Sequence, residues 1–269
     1  MEALHQLDTW PALHAAAAVV RPGEAPVVHG EPERIFRWAS LTKLLTGMAG
    51  LVALEEGIVD LDEPAGPPGS TLRHVLSHAS GLPLNQGAPI ARVGQRRIYS
   101  NTGIQAAADA IELGAEMPFH EYLRAAVTGP LGFSAHLTGS PAWGFRGTLA
   151  DLARLAQELL EPTLVAPETL AEATAVTFPG LIGVLPGFGR METNDWGLVF
   201  ELRDGKSPHW TGARNSPRTF GHFGASGTFL WVDPDARVAL ACLTDLEFDA
   251  WAKEAWPRLS DAVLEELEQ

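Results

Sequence analysis

A chain of 269 residues, 46% of them hydrophobic, is long and apolar enough to bury a sizeable core in one or two domains, which excludes a disordered or fibrous protein. Its 33 acidic residues against 19 basic ones give a formal net charge of -14. That balance argues against nucleic acid or an anionic membrane as partner, since either needs clustered Lys and Arg.

The N-terminal stretch MEALHQLDTWPALHAAAAVV lacks the basic and continuous apolar regions of a signal peptide. Ala15 to Val20 is too short to span a bilayer, so a cytoplasmic location and no membrane partner are expected. Apolar runs at about 14–20 and 25–29 flank the turn signal Arg21-Pro22-Gly23-Glu24 and predict paired strands. A long helix is predicted from near Ser40 to about Glu56, closed by Gly57. From about 60 to 190 the pattern gives short helices at 71–78, 102–114, 118–127, 148–160 and 167–174, separated by Pro- and Gly-rich loops. Strand patterns return at about 196–203, 226–233 and 236–243, and a terminal helix is predicted over 249–267. The single cysteine, Cys242, sits in the apolar run ARVALACLTD and reads as a buried, inert thiol.

Strands at both ends with helices between them imply an α/β fold of α+β type. The expected architecture is a mostly antiparallel sheet flanked by helices, residues 1–60 and 190–269, with a mainly helical unit, 61–189, inserted. The site is expected at the seam between them.

Three motifs carry chemistry. In Ser40-Leu41-Thr42-Lys43, positions i and i+3 share a helix face, so the Lys43 amine can reach the Ser40 hydroxyl. Serine is a poor nucleophile at neutral pH, and a desolvated amine can lose its proton and serve as the base. A helix N-terminus also favours negative charge developing nearby. Taken alone, the same four residues describe an ordinary N-cap serine and a solvated lysine. Tyr99-Ser100-Asn101 and His222-Phe223-Gly224 follow in that order. His74 and His78 have the i, i+4 spacing of a zinc pair but no Glu between them, so no metal ligands are assigned.

The ordered set S-x-x-K, Y-x-N and H-x-G, within blocks such as IFRWASLTKLLTGMAGLVALEEGIVDLDEP, STLRHVLSHASGLP and FGHFGASGTFLWVDPDARVALACLTD, resembles the serine β-lactamase and penicillin-binding-protein-like superfamily, closest to its class C and esterase branch. The likeness runs nearly the whole chain. It implies a cofactor-free hydrolase that forms an acyl-enzyme at Ser40, with Lys43 as the base or as the group that keeps the base ionised. Tyr99 matches the family's proton-shuttling tyrosine, a role expected to need a pKa lowered by a cationic neighbour. Asn101 is expected to orient Lys43 and a substrate carbonyl, with a helix N-cap as the rival reading. His222 stands at the family's Lys-or-His position, and Ala225 is expected to give the second oxyanion N–H opposite that of Ser40. Gly224 is expected to let substrate approach the backbone.

Phe223 departs from the pattern, because relatives that bind penicillins place Thr or Ser there to contact the substrate carboxylate. The resemblance with this departure implies an esterase-like hydrolase of small esters or amides with weak β-lactam reactivity. A β-lactamase, a D-amino-acid peptidase or acyltransferase, and a catalytically idle scaffold of the same fold are the alternatives.

Overall fold

The computed structural model describes residues 1–269. After a 3-10 segment at Glu2–Thr9 come β1 (Ala15–Val20), β2 (Val27–His29) and β3 (Phe36–Arg37), then a 3-10 turn, Ala39–Leu41, that leads into α1 (Thr42–Glu55). The middle of the chain contributes α2 (Leu72–Leu76), α3 (Asn101–Ala115), α4 (Phe119–Leu123), β4 (Arg146–Gly147), α5 (Leu149–Leu160) and α6 (Pro167–Ala173). The chain ends with β5 (Gly183–Leu185), β6 (Gly189–Met191), β7 (Glu201–Leu202), β8 (Phe220–Gly224), β9 (Thr228–Asp233), β10 (Val238–Thr244) and α7 (Ala250–Leu267).

Six strands form one sheet in the order β2-β1-β10-β9-β8-β7, and every pairing is antiparallel. The central strands β1, β9 and β10 are buried almost throughout, because both faces of the sheet are covered. Side chains alternate across a strand, so Ala16, Ala18 and Val20 enter the larger core with α1 and α5. Ala17 and Val19 face the opposite way and pack with Trp256, Leu259 and Val263 of α7. The small residues of β1 let α5 lie close against β1 and β10. No helix is long and apolar enough to cross a membrane.

Most predicted elements are found within a few residues, but the stretch 196–203 is not a strand throughout. Only Glu201–Leu202 pairs with β8, because Val199 sits at φ +73° and turns the chain. That turn packs onto α1 where Gly47 has no side chain; a Cβ there would lie 2.9 Å from Val199. The predicted strand 226–233 begins two residues later, since Gly227 at φ +74° belongs to the β8–β9 turn. Strand β8 itself, FGHFG, has no apolar alternation and was absent from the predicted elements.

Candidate active site

Ser40 does not cap a helix. It lies in the 3-10 turn ahead of α1, whose N-cap is Leu41 with no side-chain cap, so the serine hydroxyl is free of that duty. Backbone and side-chain bonds fix the turn. Thr42 Oγ1 donates to the Ala39 carbonyl at 2.7 Å and accepts from the Phe145 N–H at 3.0 Å. From the β8–β9 hairpin, Ser226 Oγ donates to the Arg37 carbonyl at 2.6 Å and Thr228 Oγ1 to the Trp38 carbonyl at 3.0 Å.

Gly224 serves this docking. A Cβ at that position would lie 2.5 Å from the Trp38 carbonyl oxygen and 3.2 Å from the Ala39 Cβ. The glycine therefore makes room for the turn that carries Ser40.

Lys43 is wholly buried on the first turn of α1. Its Nζ lies 2.7 Å from Asn101 Oδ1, 2.8 Å from the Ala142 carbonyl and 3.1 Å from Ser40 Oγ. No carboxylate compensates its charge, and burial holds the amine well below its ordinary value of 10.5. The helix after Tyr99 is capped by Ser100, whose Oγ accepts from the Gly103 N–H at 2.9 Å, so the N-cap reading of Asn101 is corrected. The Asn101 side chain is left for Lys43, and its Nδ2 donates to Asn85 Oδ1 at 3.2 Å.

Tyr99 Oη donates to Ser40 Oγ at 2.7 Å. The sequence expectation of a lowered tyrosine pKa is overturned: burial raises it, and the hydrogen bond to Ser40 offsets only part of that rise. Lys43 Nζ is 4.8 Å from the ring centre, but burial disfavours the charged form of the lysine as well. His222 Nε2 lies 3.4 Å from Tyr99 Oη. Its Nδ1 lies 2.7 Å from the Phe223 carbonyl and donates to it, leaving Nε2 as the acceptor that faces Tyr99. Burial pushes His222 down to about 3, and Lys43 adds to this whenever it carries its proton, so the ring is neutral.

Ala225 is exposed at the end of β8, with its carbonyl tied to the Phe248 N–H at 2.9 Å and its own N–H unbonded within the protein. Beside Ser40 opens a cavity of about 210 Å³, walled by Leu185, Pro186, Trp196, Phe223 and Phe248. Phe223 fills space as the sequence implies, packing 5.0 Å from Phe248 and 5.7 Å from Trp210, centre to centre.

Two neighbours of the site, Asn85 and Glu201, belong to no motif in the sequence. Asn85 steadies Asn101. His78, at φ +58°, packs 4.8 Å from Tyr99 and accepts from the Ser100 N–H at 3.2 Å, while His74 bonds Thr71 in the cap of α2, so the two histidines do not converge as a metal pair. Glu201, on the cavity wall, accepts from Lys206 at 2.6 Å, Trp210 at 2.8 Å and His209 at 2.9 Å. Burial raises its pKa, but Lys206 and His209 outweigh that and hold it at about 2. Cys242 is buried and its thiol is pushed up by that burial, as an inert side chain should be.

The burial of Lys43 has a consequence for stability. Because its folded pKa is lowered, the unfolded chain holds a proton that the folded chain has released. Folding therefore gains as pH rises from that lowered value towards 10.5, and the gain is lost as pH falls. Lys43→Met keeps an unbranched stem and removes the titration. The difference in unfolding free energy, variant minus parent, is expected to fall by about 1.4 kcal/mol per pH unit within that window. Denaturant melts at about pH 8, 9 and 10 read it, and a difference that does not change with pH would mean that Lys43 keeps its proton in the fold.

The family model described as Beta-lactamase matches residues 11–264. The crystal structure of a beta-lactamase from Mycobacterium bovis is 50% identical, with 99% of this chain and 100% of that chain covered and a TM-score of 0.97. Unliganded simvastatin synthase from Aspergillus terreus is 16% identical, covers 100% of this chain and 98% of its own, and superposes with a TM-score of 0.80. EstCE1, described as a hydrolase with promiscuous acyltransferase activity, is 17% identical, with coverage of 97% and 96% and a TM-score of 0.75. At those lower identities the likeness is one of fold. No match was found among curated proteins.

Proposed function

Since the chain belongs to the beta-lactamase family of serine hydrolases, we propose that it is an esterase-like member that acylates Ser40 with small uncharged esters or amides. One observation carries this reading: Ser40 Oγ lies 3.1 Å from a buried, carboxylate-free amine and 2.7 Å from a protonated phenol.

A neutral amine has two N–H donors and one lone pair. Nζ donates to Asn101 Oδ1, the Ala142 carbonyl and Ser40 Oγ while the amine is protonated; once it is neutral, two donors stay on Asn101 and Ala142, and the 3.1 Å contact to Ser40 Oγ is the one across which its lone pair takes the hydroxyl proton. As Oγ bonds to the carbonyl carbon, its proton passes to Lys43 Nζ. The developing oxyanion is held by the N–H groups of Ser40 and Ala225. When the tetrahedral intermediate collapses, the leaving oxygen takes the Tyr99 proton, and Lys43 restores it to the phenol. Water then repeats the sequence on the acyl-enzyme. Tyr99 acts as a phenol that donates, and Lys43 as the base.

β-Lactam hydrolysis is the second reading, favoured by the 50% identity to a protein described as a beta-lactamase. Against it stand Phe223 and a neutral His222, which offer a penicillin carboxylate neither hydroxyl nor cation. Charge-assisted hydrogen bonds are worth about 1.5–3 kcal/mol each, so their loss should reduce acylation by roughly tenfold or more. p-Nitrophenyl butyrate is expected to be turned over faster than nitrocefin, and Phe223→Thr with His222→Lys should shift the ratio towards nitrocefin. Hydrolysis of nitrocefin by the parent protein ahead of every simple ester would sink the esterase reading.

A further inference from the structure

We propose that the cavity beside Ser40 receives the alcohol side of the ester rather than its acyl side, so that the enzyme selects esters of apolar alcohols. This rests on acylation at Ser40. The carbon that bonds to Oγ carries the acyl substituent in one direction and the leaving oxygen in another. That leaving oxygen must lie against the proton donor. Tyr99, whose Oη touches Ser40 Oγ, lines the cavity, and His222 behind it does too, whereas Lys43, Asn101 and the Ala142 carbonyl do not. Whatever is attached to the leaving oxygen therefore continues past Tyr99 into the cavity, while the acyl substituent points away from it.

The chemistry of the walls fixes the class of alcohol. Leu185, Trp196, Phe223 and Phe248 present apolar surface. Glu201 is the one charged group on the wall, and its two oxygens are already taken by Lys206, His209 and Trp210. An anionic alcohol would be buried without a cation, which is costly, and a cationic one would meet a carboxylate with no free oxygen.

Size follows from volume. At about 30 Å³ per water-sized unit, 210 Å³ holds roughly seven non-hydrogen atoms, the scale of a butyl to benzyl group. The tip joining β5 and β6 forms part of the wall. Gly187 sits there at φ +79°, and a Cβ on it would lie 2.5 Å from the Phe248 ring, so the tip and that ring are in contact.

The same cavity would accept a free apolar alcohol once the acyl-enzyme has formed. In that step the alcohol oxygen bonds to the acyl carbon, its proton passes through Tyr99 to Lys43, the Ser40 ester bond breaks, and Oγ takes the proton back. An exchanged ester is released in place of the acid, with no other reactant consumed.

Two ester series test this on the intact protein. With the acyl group fixed, kcat/KM for methyl, butyl and benzyl acetates should climb by up to roughly fourfold per buried methylene. With the alcohol fixed, methyl acetate, butanoate and benzoate should differ by less than about threefold. Phe248→Ala should flatten the alcohol series, and Leu185→Phe, which fills the cavity without opening a hole, should turn the preference towards methyl esters. Mass spectrometry of acid-quenched enzyme for acetyl-Ser40 separates the two levels of the argument. Acetyl-Ser40 with selectivity that follows the acyl series, or with an alcohol series unmoved by both variants, overturns this assignment and leaves the hydrolase reading standing. No acetyl-Ser40 with any ester overturns both.

Discussion

Ser40→Ala is expected to lower ester turnover by on the order of a thousandfold or more, because the acyl-enzyme route disappears with the hydroxyl. The fold should hardly respond. Lys43 keeps Asn101 Oδ1 and the Ala142 carbonyl as partners, and the turn around residue 40 stays tied by Thr42, Ser226 and Thr228. Steady-state kinetics beside a thermal melt check both halves. A variant that keeps a tenth of the parent's turnover would place the nucleophile elsewhere.

The second large effect is a failure of additivity. Lys43 and Tyr99 both contact the same oxygen, at 3.1 and 2.7 Å, and each completes the other's proton transfer. Lys43→Ala and Tyr99→Phe should therefore each cost nearly as much as the double variant. Tyr99→Phe removes the donor to the leaving oxygen as well as the path by which Lys43 returns its proton. Losses that multiply in the double variant would assign the two residues separate structural roles.

How much of this was legible in the sequence depends on whether the determinant is local. The i, i+3 spacing of Ser40 and Lys43 is local, and the two side chains meet as it implies. Strands β1 and β10 announce themselves as apolar runs because both faces of the sheet are covered. Strand β8 does not, because Gly221, Gly224 and His222 interrupt any alternation; the resemblance alone marked His222, through its H-x-G motif. The sign of the Tyr99 shift was out of reach, since it turns on how completely the hydroxyl is desolvated in the fold. The part Gly224 plays in seating the Ser40 turn was out of reach for a similar reason: the backbone that occupies its missing Cβ comes from residues far away in sequence. Glu201, Lys206 and His209 carry no motif, and only the turns between β7 and β8 gather them around one carboxylate. The division into a 1–60 with 190–269 unit and an inserted 61–189 unit stands as a proposal for limited proteolysis.

The most direct measurement of a serine acyl-enzyme in this cleft is covalent trapping with a fluorophosphonate, read by intact mass and peptide mapping. One adduct per chain, on Ser40, is the expected result. The alternatives are poorly placed for it: Ser100 Oγ and Ser226 Oγ each donate to a carbonyl at 2.6 Å, and Ser80 is buried. Labelling at Ser80, Ser100 or Ser226 with Ser40 untouched would contradict it.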